Sequence, residues 1–168
     1  MPKVSSGILL YREHADGALE VLLVHPGGPF WARKDAGAWS IPKGEYEEHD
    51  DPAVRAEEEF AEELGASVPP GPRLDLGEVR QAGGKCVRAW AVRGEIDAGA
   101  SKSNTFEMEW PPRSGERRSF PEVDRAEWFS LGDARTKLVA GQVPLLDRLE
   151  SIIRPDGETG PDGEDESR

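Results

Sequence analysis

Ten acidic side chains fall within the twenty-three residues from Gly44 to Ala66 (GEYEEHDDPAVRAEEEFAEELGA), where Arg55 is the sole Lys or Arg. Exposed like charges at helical spacing repel by a few tenths of a kcal/mol per pair, so a run this dense favours capture of a cation. A hard divalent ion such as Mg2+ takes oxygen ligands, commonly one or two carboxylates, with waters and substrate phosphates completing the shell. The second half of the stretch reads as a helix: Asp51 suits the N-cap, Pro52 the first helical position and Gly65 the end. At about 100° per residue, Ala53, Ala56, Phe60 and Leu64 share one apolar face. Glu59, Glu62 and Glu63 gather within about a 100° arc on the opposite side.

The elements that must position this helix lie on both sides of it. Ser6 to Arg12 (SGILLYR) and Leu19 to His25 (LEVLLVH) are β-rich runs joined by a turn at Asp16-Gly17. Their near-continuous apolar character predicts interior strands. His25-Pro26-Gly27-Gly28-Pro29 interrupts regular structure, and the following loop carries Trp31, Arg33 and Lys34. Trp39, Ile41 and Lys43 alternate in a short strand that runs into Gly44. Beyond the helix, Glu78 to Gln81, Lys85 to Glu95, Thr105 to Trp110 and Arg125 to Leu131 read as strands. RSGERRSFPEVD, after Pro111-Pro112, reads as a basic loop. Asp133 to Ala140 and Pro144 to Ile153 read as helices, the second turning Leu145, Leu149 and Ile152 to the core. About six strands and two or three helices predict an α+β domain with a mixed β-sheet.

The acidic stretch resembles the Nudix box, G-x5-E-x7-R-E-U-x-E-E-x-G-U with U a bulky apolar residue. Gly44, Glu59, Phe60, Glu62, Glu63 and Gly65 match it without gaps. Three positions depart: Asp50 stands for the first Glu, Glu58 for the Arg, and Ala66 for the last apolar residue. The segment VLLVHPGGPFWARKDAGAWSIPKGE also resembles a bacterial branch of predicted NTP pyrophosphohydrolases. The resemblance implies an αβα sandwich over residues 1–153 and a Mg2+-dependent pyrophosphohydrolase, with Mn2+ as a possible substitute ion. Its substrate would be a nucleoside diphosphate linked to another group: an NTP, a dinucleoside polyphosphate or an ADP-ribose-like compound. The alternative is a catalytically weakened domain that binds a nucleotide as a regulatory module. Glu58 keeps that alternative open.

By the same resemblance Glu59, Glu63 and the carbonyl of Gly44 are metal ligands, and Glu62 is a third ligand or the general base. The box arginine is expected to pair with and orient the glutamates. Arg55, at i, i+3 from Glu58 and i, i+4 from Glu59, is the residue placed to supply that pairing. For substrate binding the candidates are Lys43, beside Gly44, the loop pair Trp31 and Arg33, and Arg113 and Arg117 near Trp110, since basic and aromatic residues suit phosphates and bases. The alternative for these loops is a solvated surface, with Trp110 in the core. His49 is a loop histidine with either a general acid–base role or none.

Composition limits the partners. The formal charge is −12, of which the central stretch carries −9 and residues 155–168 carry −5, leaving +2 elsewhere. With no basic stripe, a nucleic-acid duplex is not an expected partner; a small nucleotide is the partner the resemblance implies. Residues 154–168 have no apolar side chain and are expected to be a disordered acidic tail. A single cysteine, Cys86, excludes an intrachain disulfide and is expected to be a buried thiol. The N-terminus lacks a signal-peptide pattern and no apolar run reaches the ~20 residues a membrane span needs. A cytoplasmic, membrane-free protein is therefore expected, with its oligomeric state open.

Overall fold

β1 (Val4–Glu13) sits at the centre of a mixed sheet because its side chains are apolar on both sides. Ile8 and Leu10 enter one core cluster, Leu9 and Tyr11 the other. β2 (Leu19–Pro26) divides in the same way, so continuous apolar sequence here reflects two covered faces. The computed structural model describes residues 4–154, so the expected acidic tail lies outside the described residues apart from Arg154.

The remaining elements follow in chain order. They are β3 (Lys43–Glu45), α1 (Pro52–Leu64), β4 (Leu74–Arg80), β5 (Cys86–Arg93), β6 (Thr105–Glu109), β7 (Arg117–Pro121), β8 (Val123–Ser130), α2 (Leu131–Lys137) and α3 (Pro144–Ile153). The sheet order is β4-β5-β1-β2-β8, with β3 also paired to β1. β1 and β5 run parallel; the other pairings are antiparallel. One edge of β1 is shared: Tyr11 to Glu13 pair with β2, while Ser5 to Gly7 pair with β3. β3 is thereby carried beneath α1. α1 covers one face through Ala56, Phe60 and Leu64, and Leu145, Leu146 and Leu149 of α3 cover the other. This is the expected α+β sandwich around a mixed sheet.

Four expectations change. Eight strands form among the described residues where about six were expected. The basic loop contains β7, whose Phe120 pairs in register with Phe106 of β6, the rings 6.0 Å apart. Its alternation was hidden because Arg117, Arg118 and Ser119 are all exposed in this small two-stranded sheet. The strand expected from Trp39 starts only at Lys43; before it Trp39 and Ser40 form isolated bridges, and Pro42 has no N–H to give a ladder. Ile152 is 41% exposed on α3 and leaves the core to Leu145, Leu146 and Leu149.

That last difference can be measured. Leu149→Ala should cost about 2–5 kcal/mol and Ile152→Ala under about 1 kcal/mol in urea unfolding. Equal losses would place Ile152 in the core after all.

Candidate active site

α1 starts and stops where its sequence dictates. The Asp51 side chain accepts a hydrogen bond from the Ala53 N–H at 3.0 Å, Pro52 opens the first turn, and Gly65 ends the helix at φ 70°. The apolar residues pin the helix to the sheet, and this sets the height of each glutamate. Glu59 is only 8% exposed, so it does not lie on a solvated face with the other two acids as the helical wheel implied. The cause is β3, which runs beside α1 and places Gly44 against it. A Cβ built on Gly44 would stand 2.0 Å from the carboxyl carbon of Glu59. Only glycine leaves room there for the carboxylate to reach the backbone.

Glu63, one turn on, is part-buried and accepts a hydrogen bond from the backbone N–H of Lys43. Burial pushes its carboxyl up to about 8, reinforced by the charges of Glu59 and Glu122; Lys43 and its N–H pull the other way. Burial likewise raises Glu59, against the pull of Arg55 and with the push of Glu62 and Glu122. Burial lowers the Lys43 ammonium, against the attraction of Glu63. Glu62 is the exposed member, its side chain 43% accessible.

Arg55 reaches all three neighbouring acids on its helix. Its guanidinium forms an ion pair with Glu59, hydrogen-bonds Glu58 at 3.2 Å, and lies 3.8 Å from Glu62. The acid at the usual arginine position is thus itself held by an arginine one turn earlier. Among the described residues no three His, Cys, Asp or Glu side chains already converge as a metal cage. The residues nonetheless suit a hard cation: the donors are oxygens, Gly44 leaves the needed space, and burial disfavours the ionised forms of Glu59 and Glu63, which an added positive charge would offset.

A cavity of about 300 Å³ opens beside these acids. Glu63 and Lys43 line it, with Trp31 and Ser40 from the preceding loops, Gln81 and Lys85 from the β4–β5 connection, Glu122 before β8, and Gln142. Of the candidate substrate residues the cavity gathers Lys43 and Trp31. Arg33 is exposed on the Trp31 loop, outside the lining; Arg113 is at the tip of the β6–β7 hairpin; Arg117 lies 3.5 Å from Glu107 across it. Trp110 is part-buried and meets Phe30 edge-on at 5.6 Å. His49 is 83% exposed beside Asp50. Sequence reasoning missed Glu122, Lys85, Gln81, Gln142 and Ser40. Glu122 had no helical or motif spacing to mark it. It arrives because its N–H bonds the Asn104 carbonyl and its carbonyl accepts from the Gly27 N–H.

A partly basic cavity of about 300 Å³ thus lies against the Glu59 and Glu63 carboxylates, on a mixed sheet between helices, a site able to hold an anionic substrate beside a cation. The NUDIX domain profile matches residues 1–149, and the chain belongs to the Nudix family. A comparison with curated proteins gave no match. Among solved structures the fold is similar to a Caenorhabditis elegans Ap4A hydrolase binary complex, at TM-score 0.61 and 21% identity, over 91% of this chain and 98% of that one. It is similar to the NUDIX domain of Shewanella oneidensis NrtR complexed with ADP ribose, at 0.62 and 16%, over 91% and 89%. A mutT/nudix family protein from Listeria innocua aligns at 0.58 and 18%, over 93% and 97%. At these identities the likeness is one of fold. No helix among the described residues is long and apolar enough to cross a membrane.

The raised Glu63 value has a consequence in metal-free protein. Its ordinary value is 4.5 and its folded value about 8, so between these the folded state holds a proton that the unfolded chain has lost. Stability therefore falls as pH rises through that window. With chelator present, the melting temperature should drop steadily from about pH 5 to about pH 8, and Glu63→Gln should flatten the drop. A profile of wild type and variant that is identical across the window would show that Glu63 ionises without penalty.

Proposed function

We propose that this Nudix domain is a Mg2+-dependent hydrolase, able to use Mn2+, that cleaves a phosphoanhydride bond in a nucleoside diphosphate linked to another group. The observation that carries this reading is the buried Glu59 packed against Gly44, with the part-buried Glu63 one turn away and in its field. Two carboxylates held out of water and close together are a standing cost that a divalent cation removes. The proteins of similar fold support the substrate class, since Ap4A and ADP ribose both contain a nucleoside diphosphate joined to a further group.

In this reading Glu59, Glu63 and the Gly44 carbonyl would hold the ion, with Glu62 as a further ligand or as the base. When bound, Mg2+ neutralises polyphosphate oxygens and makes water more acidic. Glu62 stays half-exposed on the helix and so keeps an oxygen free to accept a proton. Lys43 brings positive charge to the cavity wall for the phosphates. Trp31 presents a ring at the cavity rim for a base, with the Lys34 ammonium 5.0 Å from its centre. Arg33, Arg113 and Arg117 remain candidates only for the part of a substrate that projects beyond the cavity.

Arg55 acts as a positioning residue. By pairing with Glu59 and Glu58 it offsets the repulsion that Glu58 adds and holds Glu59 towards Gly44. The same contact favours a second reading, a nucleotide-binding module with little turnover, because a cation already sits on a metal ligand.

Product release from NTPs, dinucleoside polyphosphates and ADP-ribose, assayed with Mg2+, separates the two readings. Turnover of any of them supports the enzyme; binding of one without turnover supports the module. Glu59→Gln and Glu63→Gln should each lower turnover at least about a hundredfold with the fold intact, since several kcal/mol of charge stabilisation depends on the ion. Near-normal turnover in either variant at saturating Mg2+ would overturn the ligand assignment. Arg55→Ala should cost much activity in the native background and little in Glu58→Arg, the non-additivity of a shared role. Equal losses in both backgrounds would remove Arg55 from the positioning role.

A further inference from the structure

β1 places a further polar group beneath α1. Ile8 and Leu10 lie in the core cluster that Ala56, Phe60 and Leu64 of the helix complete. Side chains alternate along a strand, so Ser6, two residues before Ile8, faces the same helix. It is fully buried. Among the described residues its Oγ is the one buried side-chain oxygen or nitrogen without a hydrogen-bond partner. A buried hydroxyl with no partner opposes folding, so its presence needs a reason.

The strand register supplies one. Ser6 pairs with Gly44 of β3. Directly opposed residues of antiparallel strands point to the same face, with their Cβ positions about 5 Å apart. The position a Cβ would take at Gly44 is 2.3 Å from Oε1 of Glu59. Arg55 pairs with the other oxygen, Oε2. The oxygen that Arg55 does not take is thus the one beside β3, a single strand spacing from Ser6. Glu63 already has the Lys43 N–H as a backbone donor. Arg88, opposite Ser6 on β5, spends its guanidinium on Asp75 at 3.3 Å and over the Trp90 ring at 5.1 Å. A hydroxyl that donates to an ionised carboxylate favours the ionised form, and carboxylates that bind metals are oriented by such outer donors.

We propose that Ser6 is a positioning residue for the ion site: its hydroxyl donates to the Glu59 carboxylate when a divalent cation is bound, and stands without a partner in the metal-free chain. The hydroxyl then opposes folding of the metal-free chain and favours the loaded one. The residue lies outside the acidic stretch, so no box position marks it. This deepens the hydrolase reading and rests on it for the place of the ion, but ion binding is measured without turnover.

Full-length protein is titrated with Mn2+, and the free ion is counted by its electron paramagnetic resonance signal. Ser6→Ala should raise the dissociation constant about tenfold. In chelator the same variant should melt about 2 °C higher than wild type. Ser6→Cys fills the space with a weak donor and should lose affinity as Ser6→Ala does. Weaker ion binding together with a more stable metal-free fold is the signature, since loss of a serine that only packs would not produce both. Unchanged affinity in Ser6→Ala, with wild type binding Mn2+, would overturn the serine's role and leave the ion site standing. Wild-type affinity in Ser6→Cys would also overturn it, by showing that volume is what the position supplies. So would a lower melting temperature of Ser6→Ala in chelator, which would reveal a partner for the hydroxyl in the metal-free chain. Absence of Mn2+ binding by wild type would overturn the ion site and this role with it.

Discussion

Crowding of negative charge beneath α1 is the constraint on which the rest of the site depends. Glu59 and Glu63 are one helical turn apart, and the apolar residues between them force both towards the sheet. Burial and mutual repulsion make their ionised forms costly in the metal-free chain. Every nearby cation answers that cost. Arg55 pairs with Glu59 from within the helix, Lys43 sits in the field of Glu63 from β3, and a divalent ion suits the oxygens that remain.

The sheet supplies the rigidity that such a site requires. β1 serves both β2 and β3 along one edge, so the strand bearing Lys43 and Gly44 is fixed by a largely buried central strand. Gly7 contributes here: a Cβ on it would stand 2.4 Å from the Pro42 carbonyl oxygen, so glycine permits the close approach of β1 to the segment entering β3. On the other side, His25 is fully buried, 2.8 Å from Asp124 and 2.6 Å from the Lys34 carbonyl oxygen. That contact ties the loop carrying Trp31 to the start of β8. Glu122 lies two residues before Asp124, so one junction holds both the aromatic rim and the additional acid of the cavity.

The reversed charge at Glu58 loses much of its force once the neighbours are seen together. Its side chain is over half exposed, so its repulsion of Glu59 is screened, and Arg55 bridges the two. Asp50, a second departure, accepts a hydrogen bond from the Glu47 N–H at 2.9 Å, a task that suits a short side chain in the loop before α1. These two of the three departures are local in effect.

The sequence by itself determined the helix and its caps, because capping and 3.6-residue periodicity act within a dozen residues and need no partner. α1 spans Pro52–Leu64 with Asp51 and Gly65 at its ends, as the local pattern requires. It also determined the two central strands and the motif match that leads to the Nudix family. It did not determine the burial of Glu59, which depends on β3 arriving beneath the helix. Nor did it reveal β7, whose strand character comes from pairing with β6 and not from its own alternation. The cavity is the clearest division. Ser40, Gln81, Lys85, Glu122 and Gln142 come from separate connections and share no spacing in the chain. Only tertiary structure brings them together.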